Sequence, residues 1–250
     1  TGAKAMISEG ALDGVDAIYG SHVMGALDAP YYGISSGPLM AGAAIFNIRV
    51  IGYAAHGSEP HRGKDAITVS AAIINALQQC VSRMNDPRSP LVLTIGTIHG
   101  GSRFNIIPNE VKMEGTVRTF EAGTAVEEIM RRIVENTAAA FGTTAEFHFE
   151  MITPPVIHDS EKMVLLAKNA AEKLYGKQSV CDMQPLMGSE DFAYYLQKVP
   201  GVFGIIGIND VAKGYIYSNH HEKFDFEESA VVRGCAIMAQ FAVDYLESET

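Results

Sequence analysis

Apolar and polar positions partly alternate through Ile45-Phe46-Asn47-Ile48-Arg49-Val50-Ile51, the period of a strand with one covered face. A loop punctuated by glycine and proline follows, from Tyr53 to Lys64. Asp65 then stands where a helix N-cap belongs, and Ile67, Ala71, Ile74, Leu77, Gln78 and Val81 recur at helical spacing with one polar exception. The helix should stop before Asn85-Asp86-Pro87. Two strands, Leu91 to Ile98 and Val111 to Thr119, precede a helix from about Ala125 to Phe141 that turns Val126, Ile129, Ile133 and Val134 inward, and Ala145 to Ile152 reads as a last strand. The order β-α-β-β-α-β is that of a ferredoxin-like split unit, a sheet with two helices on one face.

The flanks have another rhythm. Ala3, Met6 and Ile7 open a short helix ending near Gly10, and Ala17 to Val23 suits a buried strand with His22 near its end. Gly33 to Gly42 resembles a crossing between domains more than a core element. Beyond Thr153-Pro154-Pro155, Lys162 to Tyr175 reads as a helix and Gly201 to Gly207 as a buried strand. Ser229 to Leu246 reads as an amphipathic helix with Val231, Val232, Ala236, Met238, Ala239, Ala242 and Leu246 on its apolar face. Together these give an α/β domain in two segments, 1–41 and 154–250, interrupted by an α+β domain at 42–153. Forty residues before the insertion are too few for the early strands of such a sheet. Thr1 to Ile7 enters a helical register at once and reads as the middle of something longer.

Composition narrows the partners. With 47% hydrophobic and 19% charged residues in 250, a sizeable core is expected. The 29 acidic against 19 basic residues, a formal charge of −10, would repel a phosphate backbone, so nucleic acid is excluded as a partner. Cys80, Cys181 and Cys235 are odd in number and set among apolar residues. They read as reduced core thiols in a cytoplasmic compartment, not as a disulfide frame. No apolar run nears the ~20 residues that span a bilayer.

The candidate chemistry lies with histidines, carboxylates and one arginine. His56 and His61 share the loop after the first alternating strand, where Pro60 between them prevents a helical ligand pair. They are open to a metal or proton-transfer role or to a solvated one. His22 at a strand end and His220-His221 before Glu222 are further imidazoles suited to a first-row divalent ion, and at most one of the adjacent pair can face it. His99, His148 and His158 carry no such signal. Glu190 and Asp191 follow a glycine turn, where helix capping alone would explain Asp191. Asn105 precedes a proline turn and could simply satisfy a backbone group. Arg118, on an otherwise apolar strand, needs an anion, either an internal carboxylate or that of a substrate.

Six stretches in order carry a resemblance: Gly2 to Ile7, Gly20-Ser21-His22-Val23, His56 to His61, Asn105-Ile106-Ile107-Pro108, Gly115 to Thr119 and Gly188-Ser189-Glu190-Asp191-Phe192. Together they resemble the aminoacylase and carboxypeptidase family of binuclear metallohydrolases, in its branch of N-acyl-amino-acid amidohydrolases with hippurate and auxin-conjugate hydrolases. The resemblance implies a zinc-peptidase-like α/β catalytic domain interrupted by a ferredoxin-like lid that also makes a homodimer. It implies two divalent ions (Zn, Mn, Co or Ni), with His22 and His220 as ligands. Glu222 stands where the family motif around His220 usually has proline. His56 would donate to the developing oxyanion across the dimer, with Asn105 nearby and His61 only supporting. Arg118 would hold the carboxylate of the amino-acid half, and Glu190 matches an acidic residue beside the site. The reaction implied is hydrolysis of an N-acyl amino acid or a related small peptide or conjugate. The family's general-base glutamate and its other ligands lie upstream of the segment matching Thr1, so the 250 residues alone are expected to bind metal weakly or not at all and to be inactive. Two other classes compete: a noncatalytic dimerising module, and a ferredoxin-like RNA binder that fails on charge and on its missing aromatic-basic signature.

Overall fold

The computed structural model describes residues 1–121 and 123–248. Residue 122 and the last two residues of the 154–250 segment lie outside the described residues. In chain order the elements are α1 (Gly2–Ser8), β1 (Ile18–Asp28), β2 (Tyr32–Gly33), β3 (Gly37–Met40), β4 (Gly42–Ile51), β5 (Ala55–His56), α2 (Ala66–Gln79), β6 (Leu91–Gly100), β7 (Ile106–Ile107) and β8 (Glu110–Thr119). They continue with α3 (Thr124–Ala140), β9 (Thr144–Thr153), β10 (Val156–His158), α4 (Glu161–Tyr175), β11 (Val180–Cys181), α5 (Ala193–Leu196), β12 (Gly201–Asn209) and α6 (Ser229–Ser248). The chain divides into two compact units. One holds Thr1–Met40, Val156–Leu186 and Glu190–Thr250, and the other Ala41–Pro155 with Met187–Ser189.

In the first unit the sheet order is β1-β12-β2-β11, with β12 parallel to β1 and antiparallel to β2. β12 is buried on both faces, which is why its sequence is an unbroken apolar run rather than an alternation. Val202, Ile206 and Ile208 meet α4 and α6 through Ala167, Ala170, Ala171, Ile237 and Phe241. Phe203 and Ile205 pack on the opposite face with Leu39, Met40, Val156 and Ala193. The glycine-rich passage from Gly33 to Gly42 is not merely a crossing. Tyr32, Ile34, Leu39 and Ala41 are fully buried, and β2 lies inside the sheet. A Cβ on Gly33 would collide with Met183, so this glycine permits close packing rather than flexibility.

The second unit is the ferredoxin-like frame. Its sheet runs β6-β8-β4-β9, every neighbour antiparallel. Phe46, Ile48, Val50, Val111, Met113 and Val117 form a core with α2 and α3. Asp65 caps α2, its Oδ1 accepting from the Ile67 and Thr68 backbone N–H groups at 2.9 and 3.3 Å. The phase of α2 differs from expectation: Ala66, Val69, Ser70, Ile73 and Leu77 are buried, and Ile67 faces out. The helix is apolar nearly all round, so spacing alone does not choose a face. Ser70 hides there because its hydroxyl donates to the Ala66 carbonyl at 2.7 Å. α6 is misphased in the same way. Ala230, Gly234, Ile237 and Phe241 point inward, and Val231, Val232, Met238 and Leu246 are exposed.

The three cysteines are free, yet Cys235 is exposed on α6 rather than in the core. Among the described residues no helix is long and apolar enough to cross a membrane.

Candidate functional site

His22 lies within β1, which runs to Asp28, further than its apolar stretch suggests. It pairs in register with Ile205, and regular pairing with β12 continues only to Met24 before the register shifts. His22 Nδ1 is 2.6 Å from the Val23 carbonyl oxygen. A carbonyl only accepts, so Nδ1 carries the proton and a neutral ring leaves Nε2 as a free lone pair, the state a metal ligand requires.

His220 stands in the loop before α6 with φ +69°, a left-handed backbone uncommon outside glycine. His221 is otherwise engaged: it stacks on Tyr217 at 4.5 Å between centroids, and its Nδ1 accepts from the Lys223 backbone N–H at 3.0 Å. Of the two neighbours, His220 is the one without such an engagement among the described residues. Asn219 ties this loop to β1, its Oδ1 accepting from Gly25 N–H at 3.0 Å and its Nδ2 donating to the Val23 carbonyl at 2.9 Å. The residue preceding His220 thus holds the same carbonyl that orients His22. Asn219 escapes a search for ligand types because a carboxamide before a histidine carries no sequence signal of its own.

Glu190 and Asp191 have local roles. Glu190 Oε1 accepts from Phe192 N–H at 3.3 Å. Asp191 Oδ2 accepts from Ala3 N–H at 3.0 Å, which makes it a cap, but for α1 rather than for the helix that follows it. The chemistry of the donor set decides what this unit can hold. His22 and His220 suit a divalent ion as two of its ligands. Among the described residues, however, no group of three or more His, Cys, Asp or Glu side chains could hold a metal. Catalytic zinc sites normally use three protein ligands, more than His22 and His220 supply between them.

In the second unit His56 and Asn105 are brought together. β5 and β7 pair antiparallel with His56 opposite Ile106, and Gly57 N–H donates to the Asn105 carbonyl at 2.8 Å. Any side chain at position 57 would press on the Asn105 backbone. Ser58 fixes the state of the His56 ring, since its backbone N–H donates to Nδ1 at 3.2 Å and its hydroxyl lies 2.7 Å from the same nitrogen. Nδ1 is therefore an acceptor, and a neutral His56 carries its proton on Nε2. The side chain is exposed, so this N–H is available as a donor. His61 sits in a 3-10 turn, Pro60–Arg62, without a buried face. Arg118 lies on β8 opposite Ala43 and Val92 and is half-buried. Among the described residues no carboxylate pairs with it.

The model of peptidase family M20/M25/M40 matches residues 1–244. The chain is 36% identical over 249 residues to an N-acetyl-L-cysteine deacetylase of Bacillus subtilis, covering 99% of this chain and 58% of that protein. To an IAA-amino acid hydrolase of Arabidopsis thaliana it is 31% identical over 253 residues, covering 100% and 57%. A solved structure of a dinuclear metal-binding peptidase of the M20 family from Bacillus subtilis superimposes with TM-score 0.81 at 33% identity, covering 98% of this chain and 61% of that one. The chain thus spans under two thirds of the length of each of these three proteins, while almost all of its own length is matched. These 250 residues belong to peptidase family M20/M25/M40, a family of hydrolytic enzymes.

Proposed function

We propose that the protein containing this chain is a metal-dependent amidohydrolase that cleaves the amide bond of N-acyl amino acids or related small conjugates. The observation that carries the reading is the exposed Nε2–H of His56, held in its donor state by Ser58 beside the Asn105 loop. It suits the role of hydrogen-bond donor to the oxyanion that forms when an amide carbonyl is attacked. Arg118 would hold the substrate carboxylate, since a half-buried arginine with no carboxylate pairing with it among the described residues favours an external one. His22 and His220 would supply two ligands to divalent ions. Such ions, when bound, lower the pKa of a water toward neutrality and polarise the scissile carbonyl. Glu190 is assigned to the edge of the site, its carboxylate oriented by Phe192 N–H. Because the described residues gather no set of three ligands, the 250 residues alone are expected to be inactive.

The second unit is proposed to act as lid and homodimer contact. Its edge strand β6 exposes Val92 and Ile98, an edge that invites pairing with another copy. The free cysteines favour a cytoplasmic location.

The test is hydrolysis of N-acetyl and N-benzoyl amino acids by the metal-loaded intact protein and its His56→Ala variant. Loss of an oxyanion donor should lower turnover by roughly 10²–10³-fold with metal content unchanged. No turnover by the intact protein would overturn the enzyme reading and favour a noncatalytic dimerising module. Loss of metal in the variant would instead make His56 a ligand.

A further inference from the structure

We infer that Asn219 is a positioning residue: its carboxamide clamps the His220 loop to β1 and sets His220 relative to His22. The inference rests on the reading of those two histidines as ligands. In an extended strand the carbonyl of one residue and the N–H two residues on point to the same edge. The Val23 carbonyl and Gly25 N–H are such a pair, and the Asn219 side chain fills both, donating at 2.9 Å and accepting at 3.0 Å. It takes the place that the backbone of a neighbouring parallel strand would occupy beside Met24.

A second observation supports the clamp independently. A Cβ on Gly25 would stand 3.3 Å from Ser218 Cα and 3.4 Å from the Tyr217 carbonyl oxygen. The segment leading to His220 therefore lies directly on β1, at a point where even a Cβ would be a tight fit. The shared carbonyl adds the link to the ligands. Val23 O accepts from His22 Nδ1 and from Asn219 Nδ2, so one group orients the His22 ring and anchors the residue before His220. Only a side chain with both a donor and an acceptor can do this. Aspartate keeps the bond from Gly25 but sets a carboxylate against the Val23 carbonyl, and leucine keeps neither.

The test uses the intact protein that contains this chain, with Asn219→Leu, Asn219→Asp and, as an independent route to the same loosening, Gly25→Ala. Amide hydrogen exchange at Gly25 and across 218–221 should quicken by about tenfold or more in Asn219→Leu, because those amides then open without global unfolding. Gly25→Ala should quicken exchange across 218–221 while leaving the carboxamide in place. Titration with Co(II) is the readout that a purely structural role would not move. Affinity should fall by roughly 10–100-fold in Asn219→Leu and Asn219→Asp at an unchanged melting temperature, the range seen when groups orienting metal ligands are lost. Unaltered exchange in Asn219→Leu would overturn the clamp, and unaltered Co(II) affinity beside quickened exchange would overturn its positioning role. An intact wild-type protein that takes up no Co(II) would instead fail the ligand reading of His22 and His220, while the exchange comparison still decides the clamp.

Discussion

His158 has no partner in the sequence, yet it is among the most constrained side chains of the fold. It is buried, its Nδ1 donates to the Ser35 carbonyl at 2.7 Å, and its Nε2 accepts from Phe203 N–H at 3.0 Å. Both nitrogens are thereby committed to the neutral ring, and burial lowers its pKa from the ordinary value. The folded state binds this proton less readily than the unfolded one, so stability rises with pH. The contribution is complete above the unfolded value of about 6.5 and is lost as pH falls through the lower folded value. Denaturant midpoints between pH 7 and pH 5 should therefore decline more steeply for the wild-type chain than for His158→Gln, which can donate and accept at the same sites. Equal slopes would reject this role. Tyr19 shows the same cause acting on another group: burial pushes its hydroxyl up to about 12 while it bonds Tyr32 at 3.1 Å. That pair belongs to the core and not to the site.

Among the elements, the two apolar helices are where pattern and packing part company. α6 has enough small and aliphatic residues that several faces satisfy helical spacing, and the inward one is chosen by what it must fit. Gly234 lies over Ile206, and Ile237 and Phe241 fill the space beside β12 and α4. The two phases predict opposite mutational costs. Ile237→Ala should destabilise the chain by about 2–5 kcal/mol through transfer and cavity terms. Val232→Ala should stay within roughly 0.5 kcal/mol, as an exposed position does. Thermal or urea unfolding of both variants measures this, and the reverse order would restore the face expected from spacing.

For the molecule as a whole, the arrangement is an α/β unit whose chain is interrupted by a ferredoxin-like unit. Each carries a different share of the candidate chemistry. His22, His220 and Asn219 belong to the first unit, and His56, Asn105 and Arg118 to the second. The proposed reaction calls on candidates from each unit, and the homodimer proposal is tested at this scale. Light scattering of the 26.9 kDa chain should give twice its mass. A charged substitution on the β6 edge, Val92→Lys, should return it to the monomer. A wild-type chain that runs as a monomer at all concentrations would remove the lid contact from the proposal.

The sequence by itself determined the order of the longer elements, the strand-period face of β4, the Asp65 cap and the glycine-proline loop that presents His56, because each depends on near neighbours along the chain. The ordered motifs also carried the family, and they named His22, His56, Asn105, Arg118, Glu190 and His220 as candidates. Only the tertiary structure decided which faces of α2 and α6 are buried, that Gly33 is a core strand residue, that Asp191 caps α1 and that His158 bridges two backbones. The ring states of His22 and His56 also depended on it, as did the tie from Asn219 to a strand nearly two hundred residues away. Each of these rests on a partner far along the chain or on the direction of a single N–H bond, and local periodicity contains neither.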